Sequence, residues 1–578
     1  MTRRIVIGGL SVGVLAFTAW MHAAAPASVV EAAMAGNRDA VRALLKDGGD
    51  VNSAQADGMT ALHWAASKND VDLAKVLLYA GANLKATTRI GGYTPLLIAS
   101  RSGHADMVTA LLAAGSDPNA ATANGATPLM FAAQAGNVAT VNALLKGSAD
   151  ANAAEKVKGE TALFFAAAYG RADVIRALTA KGAKVGVKTK VMDLDAFNKE
   201  ETAREEQFRQ QQAQSAAAEA ARAGRPAPAA AQGRGRGNPN AKPGIDRQYN
   251  YTELVGFWGG LTPLHLAARQ GEVDAAKALI DAGADLNDRT AGDNVTPMII
   301  ATINGHFDLA KYLLDHGGDP NAAAVNGVTP MYAALNCQWA AKALYPQPRA
   351  YEQQQTTYLD LMKALLDKGA DPNVRLTRKV WYAQYDFDQS GIDEAGATPF
   401  WRAAYASDVD AMKLLVRYGA DPTIPTMRTP GRPRTGDAVR ETQDVSGLPP
   451  VSVGGPGVAP LLAASGEGYG EGLAANHHRY APAGMLPAVK YLVEELHVDV
   501  NVRDHEGNNA IHNAAARGDN EMIQYLVSKG ADPLVVNREG KTTVDMANGP
   551  VQRITPFPDT IKLLEGMGAK NNHKCVGC

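Results

Sequence analysis

Apolar residues recur along this chain in a two-beat pattern. The first beat is a short block that opens on Thr-Pro or a variant of it and runs through leucine and alanine at helical spacing. Thr262-Pro263-Leu264-His265-Leu266-Ala267-Ala268 is the clearest copy. Gly271 follows, then a second apolar stretch from Val273 to Asp281, then Gly283 and an Asp/Asn-rich connection. The chemistry of one copy predicts two helices. Threonine caps the first through its hydroxyl, and proline at the first helical position loses no hydrogen bond. Glycine ends each helix in the left-handed region.

The copies are periodic. Thr60, Thr94, Thr127 and Thr161 stand 33 or 34 residues apart, as do Thr262, Thr296 and Thr329. Thr398, Asn509 and Thr542 open further copies, and degenerate ones begin near Ser28 and end near Met567, giving about eleven or twelve units. One helix pair cannot bury its own apolar face, so the units must stack into a continuous core. The expected fold is an all-α repeat solenoid.

These anchors, with their Gly and Gly-Ala-Asp endings, resemble the ankyrin repeat family over most of residues 28 to 566. The resemblance implies helix–loop–helix units with β-hairpin fingers, and protein partners bound on a concave face and on the fingers. Such repeats are rarely catalytic themselves, and no serine, cysteine or carboxylate constellation stands out. The expectation is therefore a non-enzyme without cofactor. His63, His265 and His512 occupy one position of the repeat, where a ring nitrogen would brace the backbone.

Residues 1–25 read as a signal peptide. Arg3 and Arg4 precede an apolar run from Ile5 to Trp20, with A-x-A cleavage candidates after it. The Gly9-Leu10-Ser11-Val12-Gly13 motif lies in this leader and carries no catalysis. A periplasmic or secreted chain with no stable membrane span after cleavage is expected. Residues 26–188 then form a first repeat block, 189–253 a low-complexity disordered insertion, 254–567 a second block and 568–578 a tail. A formal charge of −2 over 578 residues argues against nucleic-acid binding. A monomer is expected.

The insertions carry the individuality. The first opens on a charged, helix-prone piece from Asp193 to Glu219 and continues into Gly233-Arg234-Gly235-Arg236-Gly237. It need not interrupt the stack, because the unit after it begins with an apolar helix that wants a neighbour. A second, Arg375 to Ala395, holds Trp381, Tyr382, Tyr385 and Phe387. With Trp401 these are the candidate partner-binding residues, since exposed aromatics make good anchors. The alternative is a local mini-core beside Trp401. Asp386, Asp388 and Ser390 are spaced like the start of a calcium loop, but Ala397 stands at the twelfth position where glutamate is needed. A third insertion, Pro425 to Gly457, is rich in proline and glycine. Two more, Gln338 to Thr356 and Glu467 to Ala483, fall between the helices of a unit, and the latter holds His477-His478.

The chain ends on Cys575-Val576-Gly577-Cys578. In an exported protein this is a candidate haem attachment or a disulfide, though the histidine that follows in a c-type haem motif is absent. The function expected is an exported scaffold for protein–protein interaction. The alternative is an electron-transfer protein whose repeats dock a truncated haem module begun at Cys575.

Overall fold

The computed structural model describes residues 28–222, 241–339, 349–380, 392, 394–430, 444–468, 479–549 and 555–575. Two compact units divide between Asp150 and Ala151. The division falls before the long insertion rather than at it.

The first unit holds four helix pairs, from Val29–Ala35 with Arg38–Lys46 to Pro128–Ala135 with Val138–Lys146. The first helix of each pair packs on the first helix of the next. The second unit holds eight pairs among the described residues, from Ala162–Ala168 with Ala172–Thr179 to Thr543–Ala547 with Pro558–Gly566. Its inner helices again form one row. Pro263–Gln270 packs directly on Ala162–Ala168, so the stack closes across the long insertion.

The predicted caps form. Thr262 Oγ1 accepts from the His265 N–H, Pro263 opens the helix, and Gly271 ends it at φ 76°. The leucines and alanines of each inner helix are fully buried, Leu264, Ala267 and Ala268 among them. Burying one such leucine contributes about 2 kcal/mol.

A ladder of asparagines ties successive units together. Asn287 Nδ2 donates to the Gly317 carbonyl, which follows the next outer helix, and its Oδ1 accepts from the Asp319 N–H. Asn52 does the same to Gly81 and Asn83 within the first unit. Asn152, Asn321, Asn373 and Asn501 repeat it in the second. Thr423 takes the asparagine position once, and its hydroxyl and N–H turn back onto Asp421.

The three finger insertions leave through antiparallel bases, which is why the helices beneath them stay regular. In the first, β1 (Val191–Asp193) pairs with β2 (Phe257–Gly259), with Met192 opposite Trp258. Gly259 is obligatory there: a Cβ would stand 1.8 Å from the Lys190 carbonyl oxygen. In the second, Leu376 exchanges main-chain bonds with Gly396 and Ala397. In the third, Thr426 pairs with Gly457 and Val458, and Arg428 with Gly454 and Gly455. From β1 the chain continues as a 29-residue helix, Leu194–Arg222, which carries the charged piece read from sequence.

Candidate functional site

Every inner helix presents the same two positions away from its outer partner: the fourth and seventh residues after the capping residue, one turn apart. In the first unit the fourth position is Ala32, Trp64, Ile98 and Phe131, of which Ala32 is fully buried. Trp64 and Phe131 are half-buried, and the Trp64 indole donates to Gln55. In the second unit the row begins with Phe165, Leu266 and Ile300, of which Phe165 and Ile300 remain half-buried. Within each unit this is an apolar stripe on the open side of the helices.

Further along the second unit the stripe changes character. Asn336, Arg402, Tyr405 and Asn513 occupy the same positions and are all buried. The segments inserted between helices lie over this end. Ala481 N–H donates to the Ala406 carbonyl, and Arg479 donates to the Gln338 carbonyl and the Tyr351 hydroxyl. Tyr351 stacks on Phe307 at 6.0 Å. Asp408 holds the arrangement from below, accepting from Trp339 Nε1 at 2.8 Å and the Tyr358 hydroxyl at 2.7 Å. Asn513 donates to Glu467 at 2.8 Å and to Ser465. Sequence reading missed this cluster. The signal available was Arg402 itself, a charged residue where the first copies carry Trp, Ile or Phe.

The fingers form the other accessible edge. Along it, the tip of one finger donates a main-chain bond to the one before, as Val325 does to Asp293 and Arg538 to Glu506. Arg378, at the base of the second insertion, donates to the Glu253 carbonyl and covers the Tyr249 ring, which links it to the end of the first. Asp293 beside it is pushed up to about 6 by burial. Trp258 stands 55% exposed on β2.

The sequence-derived site residues fare differently. Trp381, Tyr382, Tyr385 and Phe387 lie outside the described residues, as do Asp386, Asp388 and Ser390 of the calcium candidate. Trp401 is fully buried, which removes it from any contact surface. Its place in the repeat supplies the reason. His63 Nε2 bonds the Tyr93 carbonyl, His265 the Val295 carbonyl and His512 the Lys541 carbonyl, each just before the next cap. Trp401 stands at the same position, and its indole N–H donates to Val458 at 2.9 Å. It is a substitute for the repeat histidine.

The histidines are structural braces, as expected. Nδ1 of His265 accepts from the Thr262 N–H at 3.1 Å, so Nε2 carries the proton given to Val295. Burial holds the ring neutral, lowering it to about 4 for His265 and about 3 for His512. Among the described residues no group of three or more His, Cys, Asp and Glu is placed to hold a metal ion. The Cys337 thiol is pushed up to about 12 by burial. Cys575 is disulfide-bonded, and Cys578 lies outside the described residues. Among the described residues no helix is long and apolar enough to cross a membrane.

Family comparisons agree with the repeat architecture. A three-copy ankyrin repeat pattern matches residues 29–122, 96–189 and 264–375. A many-copy pattern matches 491–547, and a single ankyrin repeat matches 395–427. Relatives include Palmitoyltransferase Hip14 from Drosophila melanogaster, 39% identical over 95 residues, which is 16% of this chain and 15% of that protein. The human Palmitoyltransferase ZDHHC17 is 37% identical over 94 residues, 16% of this chain and 14% of its own length. Ankyrin repeat and SOCS box protein 3 from Bos taurus is 39% identical over 154 residues, 26% and 29% of the two chains. The chain thus spans about a seventh of the palmitoyltransferases it matches.

These names correct the expectation of a non-enzyme. Proteins named as transferases carry stretches of the same repeat, so a repeat array does not make the protein that bears it non-catalytic. The shared part is repeat alone and brings no active site with it. Nothing in the comparisons supports the haem-docking alternative. Helix pairs, caps, asparagine ladder and matched patterns agree, and the chain belongs to the ankyrin repeat family, whose arrays are scaffolds for protein–protein interaction.

Proposed function

We propose that this chain is an exported scaffold that binds a protein partner along the open face of its inner helices and on its fingers. The observation that carries the reading is the half-buried apolar stripe of the second unit, Phe165 and Ile300. Such side chains are costly to leave in water and give a partner area to cover. The stripe is rigid because each residue sits on a capped, stacked helix, so ordering it on binding costs little entropy. The aromatic finger Trp381 to Phe387 is the second contact, on its composition.

Export rests on the leader-like residues 1–25. The protein acts as a monomer and does not bind nucleic acid, in keeping with its charge of −2. No bound cofactor enters this reading.

The test is capture of cross-linked partners from the native host with Phe165→Glu and Ile300→Glu introduced together. Both side chains are half-buried, so the array should still melt cooperatively. Loss of the captured partner at unchanged helicity supports the face; undiminished capture sinks it. Fractionation of the same host decides the compartment: the mature chain in the cytosolic fraction would overturn export.

A further inference from the structure

The 29-residue helix Leu194–Arg222 leaves the array at the first finger insertion. It packs on β1 and on the short helix Tyr251–Val255, and Leu194 at its start is buried. Asp195, Glu201 and Glu206 are half-buried, and its other described side chains are exposed. Ion pairs along its own surface hold it: Lys199 to Asp195 at 2.6 Å, Arg204 to Glu201 at 2.7 Å and Arg209 to Glu205 at 3.3 Å. Pairs at this spacing support a helix that has little tertiary packing.

Two phenylalanines break the polar surface. Phe197 is 48% exposed and Phe208 59%. They stand eleven residues apart, about three helical turns, so they share one face. Glu201 follows Phe197 by four residues and Arg204 precedes Phe208 by four, which places all four side chains on one stripe. Reversing the stripe keeps the phenylalanines at its ends and exchanges the two charges. Laid antiparallel on a second copy, Phe197 meets Phe208 of that copy and Glu201 meets its Arg204, and two-fold symmetry makes each contact twice. Laid parallel in register, Glu201 would face Glu201 and Arg204 would face Arg204. The flanking carboxylates bring no uncompensated charge, since Glu200 lies 3.8 Å from Arg204 and Glu205 is paired with Arg209. Six acidic and four basic side chains leave the helix a formal −2, a repulsion that salt screens.

We propose that the Leu194–Arg222 helix pairs antiparallel with the same helix of a second copy of this chain, through Phe197, Glu201, Arg204 and Phe208. Two phenylalanines a side bury less than the roughly 1,200 Å² of a stable interface, so the pairing is weak and depends on concentration. The inference goes beyond the scaffold reading. The dilute chain stays the monomer of that reading, and pairing presents two arrays together, which gives avidity toward a partner with two binding sites.

The experiment is sedimentation equilibrium of the full chain over about a hundredfold range of concentration at physiological ionic strength. A monomer–dimer equilibrium with no larger species is expected. Phe208→Ser should raise the dimer dissociation constant by at least about tenfold. Glu201→Arg and Arg204→Glu, each alone, should do the same, because each sets like charges against one another across the pair. Mixing those two variants in equal amounts should restore the dimer, because each supplies the sign that the other lacks. Hydrogen exchange over residues 194–222 checks that the helix persists in each variant; should it fray in the charge variants, Phe208→Ser, which touches no ion pair, decides. A wild-type chain that stays monomeric throughout, an unchanged dissociation constant in Phe208→Ser, or a mixture of folded charge variants that fails to pair overturns the proposal. None of these outcomes bears on partner capture through Phe165 and Ile300, so the two readings fail separately.

Discussion

Two stretches of the second unit run the same repeat under different rules. From Ala162 to Asp315 the inner helices keep apolar residues at the fourth position, Phe165, Leu266 and Ile300, and the long insertion leaves through a finger. From Pro330 to Glu495 the insertions also enter between helices, and the open face is buried and polar. The difference shows where a solenoid tolerates added chain. A hairpin base adds length without touching the core. A segment placed between the two helices of a pair must lie against the inner row, and the row then needs hydrogen bonds that an apolar stripe lacks.

The largest effect that would break this comparison is at Asp408. It accepts from Trp339, Tyr358 and the Ala411 N–H while 3% exposed. Asp408→Ala leaves these buried donors unmatched and should cost about 3 kcal/mol. Glu272 stands at the same cap position in the regular stretch and makes no side-chain cap bond. Glu272→Ala should change stability by less than about 0.5 kcal/mol. Urea unfolding of both variants measures the contrast; equal losses would refute it.

Acid should separate the stretches next. His265, in the regular stretch, is held neutral with its value lowered to about 4. Its folded value lies below the unfolded one of about 6.5, so the unfolded chain takes up the proton first. Stability is full above about pH 6.5 and falls as pH drops toward 4, by about 3 kcal/mol for this one ring. Trp401 makes the equivalent bond in the inserted stretch and cannot titrate. A His265→Trp variant should therefore flatten the slope between pH 6 and 4, and a slope left unchanged would show that the ring is not the source. His512, lowered further, keeps a residual slope at the far end of the array.

Most of the fold was legible from sequence because it is local. Thr262, Pro263 and Gly271 act within their own helix, and a fixed period announces the stacking. The role of His265 was legible for the same reason. What escaped reading was the meaning of residues whose partners are remote. Trp401 looked like a contact anchor because it is an aromatic near an aromatic insertion, yet its partner, Val458, is 57 residues away. Arg402 and Asn336 are 66 residues apart and meet only when adjacent inner helices pack. The asparagine ladder stood in plain view as an Asp-x-Asn recurrence, but its bonds reach into the next unit and no single copy reveals them.

The smallest effect concerns that ladder, and it separates the stretches at their junction. Asn287→Ala removes one bond to the Gly317 carbonyl and one from the Asp319 N–H, at 3.0 and 2.8 Å. Both lie at the partly solvated edge, where each is worth about 0.5 to 1 kcal/mol, so the loss should be about 1 to 2 kcal/mol. Among the described residues, the Thr423 N–H and hydroxyl bond to Asp421 in its own turn. Thr423→Ala should cost a few tenths of a kcal/mol, roughly the value of a local turn bond on an exposed loop. Hydrogen exchange at the Asp319 and Asp421 amides adds a second reading. The Asp421 N–H is bonded to Asn373, one rung earlier, and should keep its protection in Thr423→Ala, whereas the Asp319 N–H should lose protection in Asn287→Ala. Equal costs for the two substitutions would mean that the ladder does not couple the units and that stacking of the inner helices alone sets the register.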